Sequence, residues 1–173
     1  MKYKYTSSQA AKVLRGLSQK RADLLALEAK SSSFVAALEE DMESIRPPYD
    51  FAAVQAEIGA LETKIRALKH AISMFNLTTE VPGTGMTIDE VLVYLPQLVQ
   101  RCEKLRNMQA CLPKERSDAS SYNQSNFIEY KIANYDIDAA RAAYAAASNE
   151  LARVQLALDK ANMTDTLEVE LQD

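Results

Sequence analysis

The feature that most constrains the fold is a strict apolar repeat in residues 50–75. Its apolar residues alternate in spacing between four and three positions, as in a heptad repeat, and so lie on one face of an α-helix. This spacing predicts a long helix that must bury its apolar face against other helices. Asp50 is its predicted N-cap and Asn76 its predicted C-cap. The apolar seam consists of Val54, Ile58, Leu61, Ile65, Leu68, Ile72 and Phe75.

The same pattern returns 86 positions later and predicts an internal repeat. Residues 49–78 and 135–164 align without a gap, and both segments begin with Tyr-Asp and end with Asn-x-Thr. Heptad helices resemble one another by default, but the spacing does not require these matching ends. The second seam lies on a helix predicted over 136–161 and consists of Ala140, Tyr144, Ala147, Leu151, Val154, Leu158 and Ala161.

Two further helices are predicted from capping boxes, in which a helix's N-cap and N3 side chains bond each other's backbone N–H. Thr6 with Gln9 starts one helix, and Thr87 with Glu90 starts the other. Pro96 lies inside the latter helix and is expected to bend it.

These helices predict two αα-hairpin repeat units, at about 6–78 and 87–164, within a single domain over 1–173. The predicted fold class is mostly α. We expect the two hairpins to form an antiparallel four-helix bundle, with a small β-sheet of short strands at one end.

The strands of that sheet are predicted from alternating apolar and polar residues. Residues 2–5, 127–132 and 166–171 alternate in this way, and we expect them to form one sheet with Lys–Glu pairs on its outer face. Residues 34–38 are a weaker strand candidate in the segment that connects the first two helices. Residues 113–126 are polar and are predicted to form a loop.

The sequence contains no established catalytic motif, and we expect no enzymatic activity, cofactor or metal. It has no glycine-rich phosphate loop, CxxC, HExxH or GxSxG pattern, and His70 is its single histidine. Arg21 interrupts the apolar seam of the first helix, so Arg21 and His70 together are a possible buried polar site. Cys102 and Cys111 lie half a turn out of phase on one predicted helix and are expected to remain free thiols.

The beginning of the last helix is the main candidate for an interaction surface. Its alanines cover every side of the helix, and a helix that is apolar all round is usually buried all round. A single bundle buries only one stripe of this helix, so a second bundle is needed to cover the opposite side. This predicts a homo-oligomer. The predicted oligomer interface consists of Ala139, Ala142, Ala143, Tyr144 and Ala146.

The leading functional hypothesis is a protein that acts by homo-oligomerisation and protein–protein contact, with a partner that the sequence does not identify. A net charge of −4, no signal-peptide pattern and no long apolar run lead us to expect a cytoplasmic protein without membrane contact. One alternative is a nucleic-acid-binding helical hairpin, which the interleaved acidic residues disfavour. Its basic residues would be Lys64, Arg66, Lys69, Arg101, Lys104 and Arg106.

The chain resembles a family of small bacterial helical proteins, some of which carry the name septicolysin. The resemblance rests on residues 21–25, 75–92, 128–137 and 156–171, whereas residues 31–48 depart from the family pattern. It implies a helical bundle with short strands and self-association. The family name suggests a membrane-active, lytic toxin as a further alternative, although no segment here has the composition of a membrane-inserting helix.

Overall fold

The computed structural model describes residues 1–116 and 129–171. The chain divides into two compact units. The first unit comprises Met1–Thr79 together with Lys160–Asp173, and the second comprises Glu80–Asp159. The described residues are mostly helical, and their strands form small antiparallel sheets of two strands each. The packing of both hairpins into one four-helix bundle stays a prediction.

The described part of the chain forms five helices and six strands. The helices are α1 (Ser7–Ser31), α2 (Met42–Ile45), α3 (Phe51–Thr78), α4 (Ile88–Gln109) and α5 (Ile137–Thr164). The strands are β1 (Lys2–Thr6), β2 (Glu80–Val81), β3 (Met86–Thr87), β4 (Lys114–Arg116), β5 (Tyr130–Ile132) and β6 (Thr166–Glu170).

In the first unit, α1 packs against α3, and the two helices begin as the sequence predicts. The Thr6 side chain accepts a bond from the Gln9 N–H, and the Gln9 side chain accepts one from the Thr6 N–H, which completes the predicted capping box. Asp50 caps α3 by accepting a bond from the Ala53 N–H. The predicted C-cap at Asn76 is wrong, because the helix continues to Thr78 before its last turn closes.

The predicted seam forms the buried side of α3. Its members Val54, Ile58, Leu61, Leu68 and Phe75 are buried, and the remaining two seam residues are half-buried. In α1, by contrast, Ala10 is the one buried residue. The other apolar residues at its heptad positions stay partly or fully exposed; they are Leu14, Leu17, Leu24 and Leu27. The first unit therefore draws its helical core mainly from α3.

Strands β1 and β6 join the two ends of the chain in an antiparallel ladder. The register sets Lys2 opposite Glu170 and Lys4 opposite Glu168. The predicted cross-strand ion pair forms between Lys2 Nζ and Glu170 Oε1 at 3.3 Å. On the other face, Leu167 and Val169 are buried, as period-two alternation requires.

In the second unit, a tight β2–β3 hairpin leads directly into α4. The turn uses Gly83 and Gly85 at φ 75° and 67°, where side chains other than glycine are strained. Thr87 and Glu90 form the second predicted capping box, and Pro96 lies inside α4 as expected.

The expectation of one three-stranded sheet is wrong. Strand β5 pairs with β4, while β6 pairs with β1. Strand β4 differs from the prediction, because residues 114–116 lie in a segment whose polar composition indicates a loop. Residues 117–126 of that predicted loop and residues 127–128 of the predicted strand lie outside the described residues.

No strand forms at residues 34–38, which the structure does describe; the short α2 follows them instead. Val35 and Leu38 are almost fully exposed, so this segment lacks the buried face and the neighbouring strand that a stable strand needs.

Two leucines on α3 test the assignment of the core. Leu68 is fully buried, whereas Leu77 is 54% exposed. We expect Leu68→Ala to lower the free energy of unfolding by about 2–5 kcal/mol, through lost apolar burial and the cavity left behind. Leu77→Ala is the matched control and should change it by roughly 0.5 kcal/mol or less. Urea denaturation followed by circular dichroism measures both, and equal effects would contradict the assignment.

The capping box of α4 predicts a pH dependence. The Thr87 backbone N–H donates to Glu90 Oε2 at 2.7 Å and the Thr87 hydroxyl donates at 3.0 Å, and these bonds lower the pKa of Glu90 below its ordinary 4.5. A carboxylate with a depressed folded-state pKa stabilises the fold above its unfolded pKa, and the stabilisation is lost as the pH falls through the folded value.

We therefore expect Glu90→Gln to lower the thermal unfolding midpoint at pH 7, and the difference from the parent chain to vanish in strong acid. Glu103→Gln, at an exposed position further along α4 and outside the capping box, is the matched control. A Glu90→Gln difference that is the same at every pH would contradict a role of the ionised carboxylate.

Candidate functional site

The start of α5 is held by a Tyr-Asp pair. Asp136 Oδ1 accepts bonds from the N–H groups of Asp138 at 2.8 Å and Ala139 at 3.3 Å, which satisfies two of the free donors of the first turn. The Tyr135 hydroxyl donates to the Met108 carbonyl at the end of α4, at 2.8 Å. A hydrogen bond with the Cys111 thiol and partial burial raise the pKa of Tyr135. These bonds tie the start of α5 to the end of α4.

The other Tyr-Asp pair plays the same part at the start of α3. The Tyr49 hydroxyl donates to Glu28 Oε1 near the end of α1, at 2.7 Å, and this bond to a carboxylate raises the pKa of Tyr49. Asp50 Oδ1 accepts from the Ala53 N–H at 3.0 Å. Both units therefore use a tyrosine that reaches back to the preceding helix and an aspartate that caps the next one.

Tyr144 defines which side of α5 faces α4. Its ring is half-buried, and the Arg106 guanidinium of α4 lies 5.8 Å from the ring centre, within the range of a cation–π contact. The buried side of α5 continues through Ala140, Ala147, Val154 and Leu158. The helix therefore turns its predicted seam inward.

The opposite side of α5 carries a second stripe at heptad spacing, which we call the outer stripe. All six members are exposed, and Leu156 is 73% exposed. At 100° per residue they lie within a narrow arc on the side of the helix away from the seam. The outer stripe consists of Asp138, Ala142, Ala145, Asn149, Ala152 and Leu156.

The predicted interface residues fall partly on this stripe. Ala142 belongs to it, and Ala139 and Ala146 are exposed beside it, whereas Ala143 and Tyr144 are half-buried. Sequence reasoning recognised the alanines but missed the part of the stripe from Asn149 to Leu156. The signal for that part was its four-three spacing, which continues past the alanine-rich segment.

Two intrahelical ion pairs lie on α5 near the two ends of the outer stripe, and each contains one residue in the stripe or beside it. Arg141 pairs with Asp138 near one end, and Arg153 pairs with Glu150 near the other, at 2.8 Å. Arg153 also donates to the Gly83 carbonyl of the β2–β3 turn, and its guanidinium lowers the pKa of Glu150. Asp138 thus places an acidic charge near one end of the stripe, and Arg153 places a basic charge beside it near the other end.

The possible buried polar site at Arg21 and His70 does not form, since the described residues include no buried charged side chain. The Arg21 side chain is 41% exposed, and its Nη2 lies 2.7 Å from Glu62 Oε1 across the α1–α3 pair. The long side chain lets the guanidinium reach solvent while its stem covers apolar surface. His70 is exposed and lines a different groove from Arg21.

The groove at Arg21 has a volume of about 440 Å³ and is lined mainly by polar side chains. Lys69 and Arg66 contribute positive charge there, while Glu62 compensates Arg21. An exposed ion pair of this kind contributes about 1 kcal/mol or less. The groove therefore resembles a solvated hairpin surface more than a built anion site.

Cys102 is buried and Cys111 is half-buried, and both are free thiols as predicted. Within residues 1–116 and 129–171, no three or more His, Cys, Asp or Glu side chains lie together as metal ligands would. The helices of this described part also include none with the length and apolar character needed to cross a membrane.

Comparison with solved structures shows a likeness in fold. A scan of family models and a search of curated proteins gave no match. The chain is similar in structure to a functionally unknown conserved protein from Corynebacterium diphtheriae, with a TM-score of 0.57 and 18% sequence identity. The match covers 95% of this chain and 99% of the other. At this identity the likeness shows the fold alone.

Proposed function

We propose that this chain is a non-enzymatic protein that self-associates through the outer stripe of α5 and acts through protein–protein contacts. The observation that carries the proposal is the exposure of a second, largely apolar heptad stripe opposite the buried seam. A helix that borders water on one side usually carries charged residues there. Here three alanines and a leucine make up four of the six residues of the stripe, beside Asp138 and Asn149.

Small side chains suit this stripe to helix–helix contact. Alanine lets two helix backbones approach closely, and the stripe's four-three spacing is the one that packs against a partner helix in coiled coils. Ala is also the strongest helix former, which by itself would explain alanines on an exposed face. Helix propensity does not, however, account for Leu156, which lies 73% exposed at the end of the stripe.

The order of charges favours a second copy of the same helix as the occupant. When two α5 helices run antiparallel about a two-fold axis between Ala145 and Ala146, residues at equal distances on either side of the axis face each other. Asp138 then faces Arg153 of the second copy. Each end of the contact brings opposite charges together, whereas a parallel pairing would set each charge beside its own copy. A two-fold contact is the commonest arrangement in homo-oligomers.

We also propose that the two hairpins, at about 6–78 and 87–164, are repeats that pack as an antiparallel four-helix bundle. Supporting this, Thr6 and Thr87 each begin a helix with a capping box. The Tyr-Asp pairs at 49–50 and 135–136 also make corresponding bonds. The free thiols support the expected cytoplasmic setting, where cysteines stay reduced. Membership of the septicolysin-like family belongs to the same proposal, without the lytic activity that the name suggests.

Light scattering over a dilution series tests the proposed self-association. We expect the parent chain to form a stable oligomer, and Ala142→Glu to raise the concentration at which it dissociates by about 30-fold or more. A glutamate in the contact must lose water without a partner, which costs about 2 kcal/mol or more. Ala60→Glu places the same charge on an exposed position of α3 and is the matched control.

A second pair of variants tests the antiparallel register. Asp138→Arg alone should weaken the oligomer, because it sets two basic residues against each other, and adding Arg153→Asp should restore it. A monomer at all concentrations, or an oligomer that Ala142→Glu leaves unchanged, would contradict the proposal. Salt-dependent RNA binding by such a monomer would instead favour the nucleic-acid-binding hairpin, and leakage of liposomes would favour the membrane-active toxin.

A further inference from the structure

The first unit contains a groove of about 490 Å³ beside strand β6, which we call the β6 groove. One wall is β6 itself, at residues 167–170, and no described residue of β1 lines it. The groove therefore lies on the side of β6 that faces away from β1. The opposite wall is α3, through Ala67, His70, Ala71, Met74, Phe75 and Thr78.

The backbone of β6 offers unused hydrogen-bonding groups along this side. Met1 and Leu171 exchange two N–H···O bonds, of 2.8 and 3.0 Å, so they form a hydrogen-bonded pair of the β1–β6 ladder. Such pairs alternate along an antiparallel ladder. Val169 and Leu167 therefore also bond β1, while Glu168 and Glu170 point their N–H and C=O groups toward the open edge. Among the described strands, none pairs with this edge.

The groove suits the apolar side chains of an added strand. Phe75 is buried at its base, Met74 is 47% exposed on its wall, and Ala67 and Ala71 leave room between them. Alternate residues of an added strand would point toward α3 and contact these side chains. A volume of about 490 Å³ lies within the usual range of ligand sites.

The outer face of β6 determines the charge of the occupant. Glu168 and Glu170 are exposed there, and β1 already meets them from one side with lysines. Lys2 pairs with Glu170, whereas Glu168 has no ion pair among the described residues. A strand added on the open side of β6 is complementary to these glutamates when it places basic residues on the outer face and apolar residues on the inner face, as β1 does.

A second copy of β6 does not meet this requirement. Antiparallel pairing of two β6 strands would bring the glutamates of one copy against those of the other, and like charges directly opposite each other destabilise a sheet. The same glutamates also discourage uncontrolled pairing of the edge. The charge pattern thus selects against self-pairing and for a basic strand.

We propose that the open edge of β6 binds an extended segment of a partner protein in which basic residues alternate with apolar ones, by antiparallel strand addition. Main-chain hydrogen bonds to Glu168 and Glu170 would hold the segment, and the β6 groove would accept its apolar side chains. This surface lies in the first unit and is independent of the outer stripe in the second.

The test is a titration of the full-length, ¹⁵N-labelled chain with acetyl-Lys-Val-Lys-Val-Lys-amide, followed by amide chemical shifts. We expect saturable shifts at the amides of Glu168 and Glu170. When the peptide's lysines lie opposite Glu168 and Glu170, the backbone N–H groups of the lysines point toward β6. The backbone N–H groups of the valines then point toward solvent. N-methylation of the lysine residues should therefore weaken binding about tenfold or more, and N-methylation of the valine residues should leave it unchanged.

Variants of the protein test the charge requirement. Glu168→Lys should weaken binding of the same peptide about fivefold to tenfold, and acetyl-Glu-Val-Glu-Val-Glu-amide should not bind the parent chain. Glu57→Lys, at an exposed site in the first half of α3, is the matched control and should bind normally. Circular dichroism confirms that both variants fold.

Three outcomes would overturn the proposal. The first is no saturable shift up to about 2 mM peptide, because a specific peptide site is expected to have a dissociation constant below that concentration. The second is a shift pattern centred on β1, which indicates strand exchange. The third is equal binding of the two N-methylated peptides, which would show that main-chain pairing is not involved.

Discussion

A pair of antiparallel helices buries only one stripe of each helix, and this constraint governs the rest of the structure. In α3 and α5 the buried stripe is the heptad seam, while the remaining surface of each helix needs another partner or water. The flank of α3 beside its seam, together with the seam residue Phe75, forms one wall of the β6 groove. The side of α5 opposite its seam carries the outer stripe. Both candidate interaction surfaces thus arise from the same geometric limit.

The rotation of each helix about its axis depends on a few polar contacts near the helix ends. Asp50 and Asp136 cap α3 and α5, and the adjacent tyrosines bond to the preceding helix. In α5, the contact of Tyr144 with Arg106 adds a further constraint along the helix. A rotation by one residue would turn the outer stripe partly inward, so these contacts decide which alanines remain exposed.

The two surfaces differ in how they discriminate between partners. The outer stripe has an order of charges that is complementary to itself in the antiparallel direction, which suits a second copy. The edge of β6 has two glutamates of one sign, which oppose a second copy and suit a basic strand. Electrostatic pattern rather than apolar area separates the two kinds of partner, because apolar contact is not directional.

The sequence by itself determined the features that depend on neighbours within about four residues. The capping boxes at Thr6 and Thr87, the cap at Asp50 and the seam of α3 are of this kind, because helix periodicity and capping are local interactions. The tertiary structure alone decided that β5 pairs with β4, that Glu62 is the partner of Arg21, and that β6 borders a groove. Each of these features joins residues that are distant along the chain. From the local pattern alone, several strands could pair with β5 and several carboxylates could pair with Arg21. Only the folded backbone brings one of them within reach.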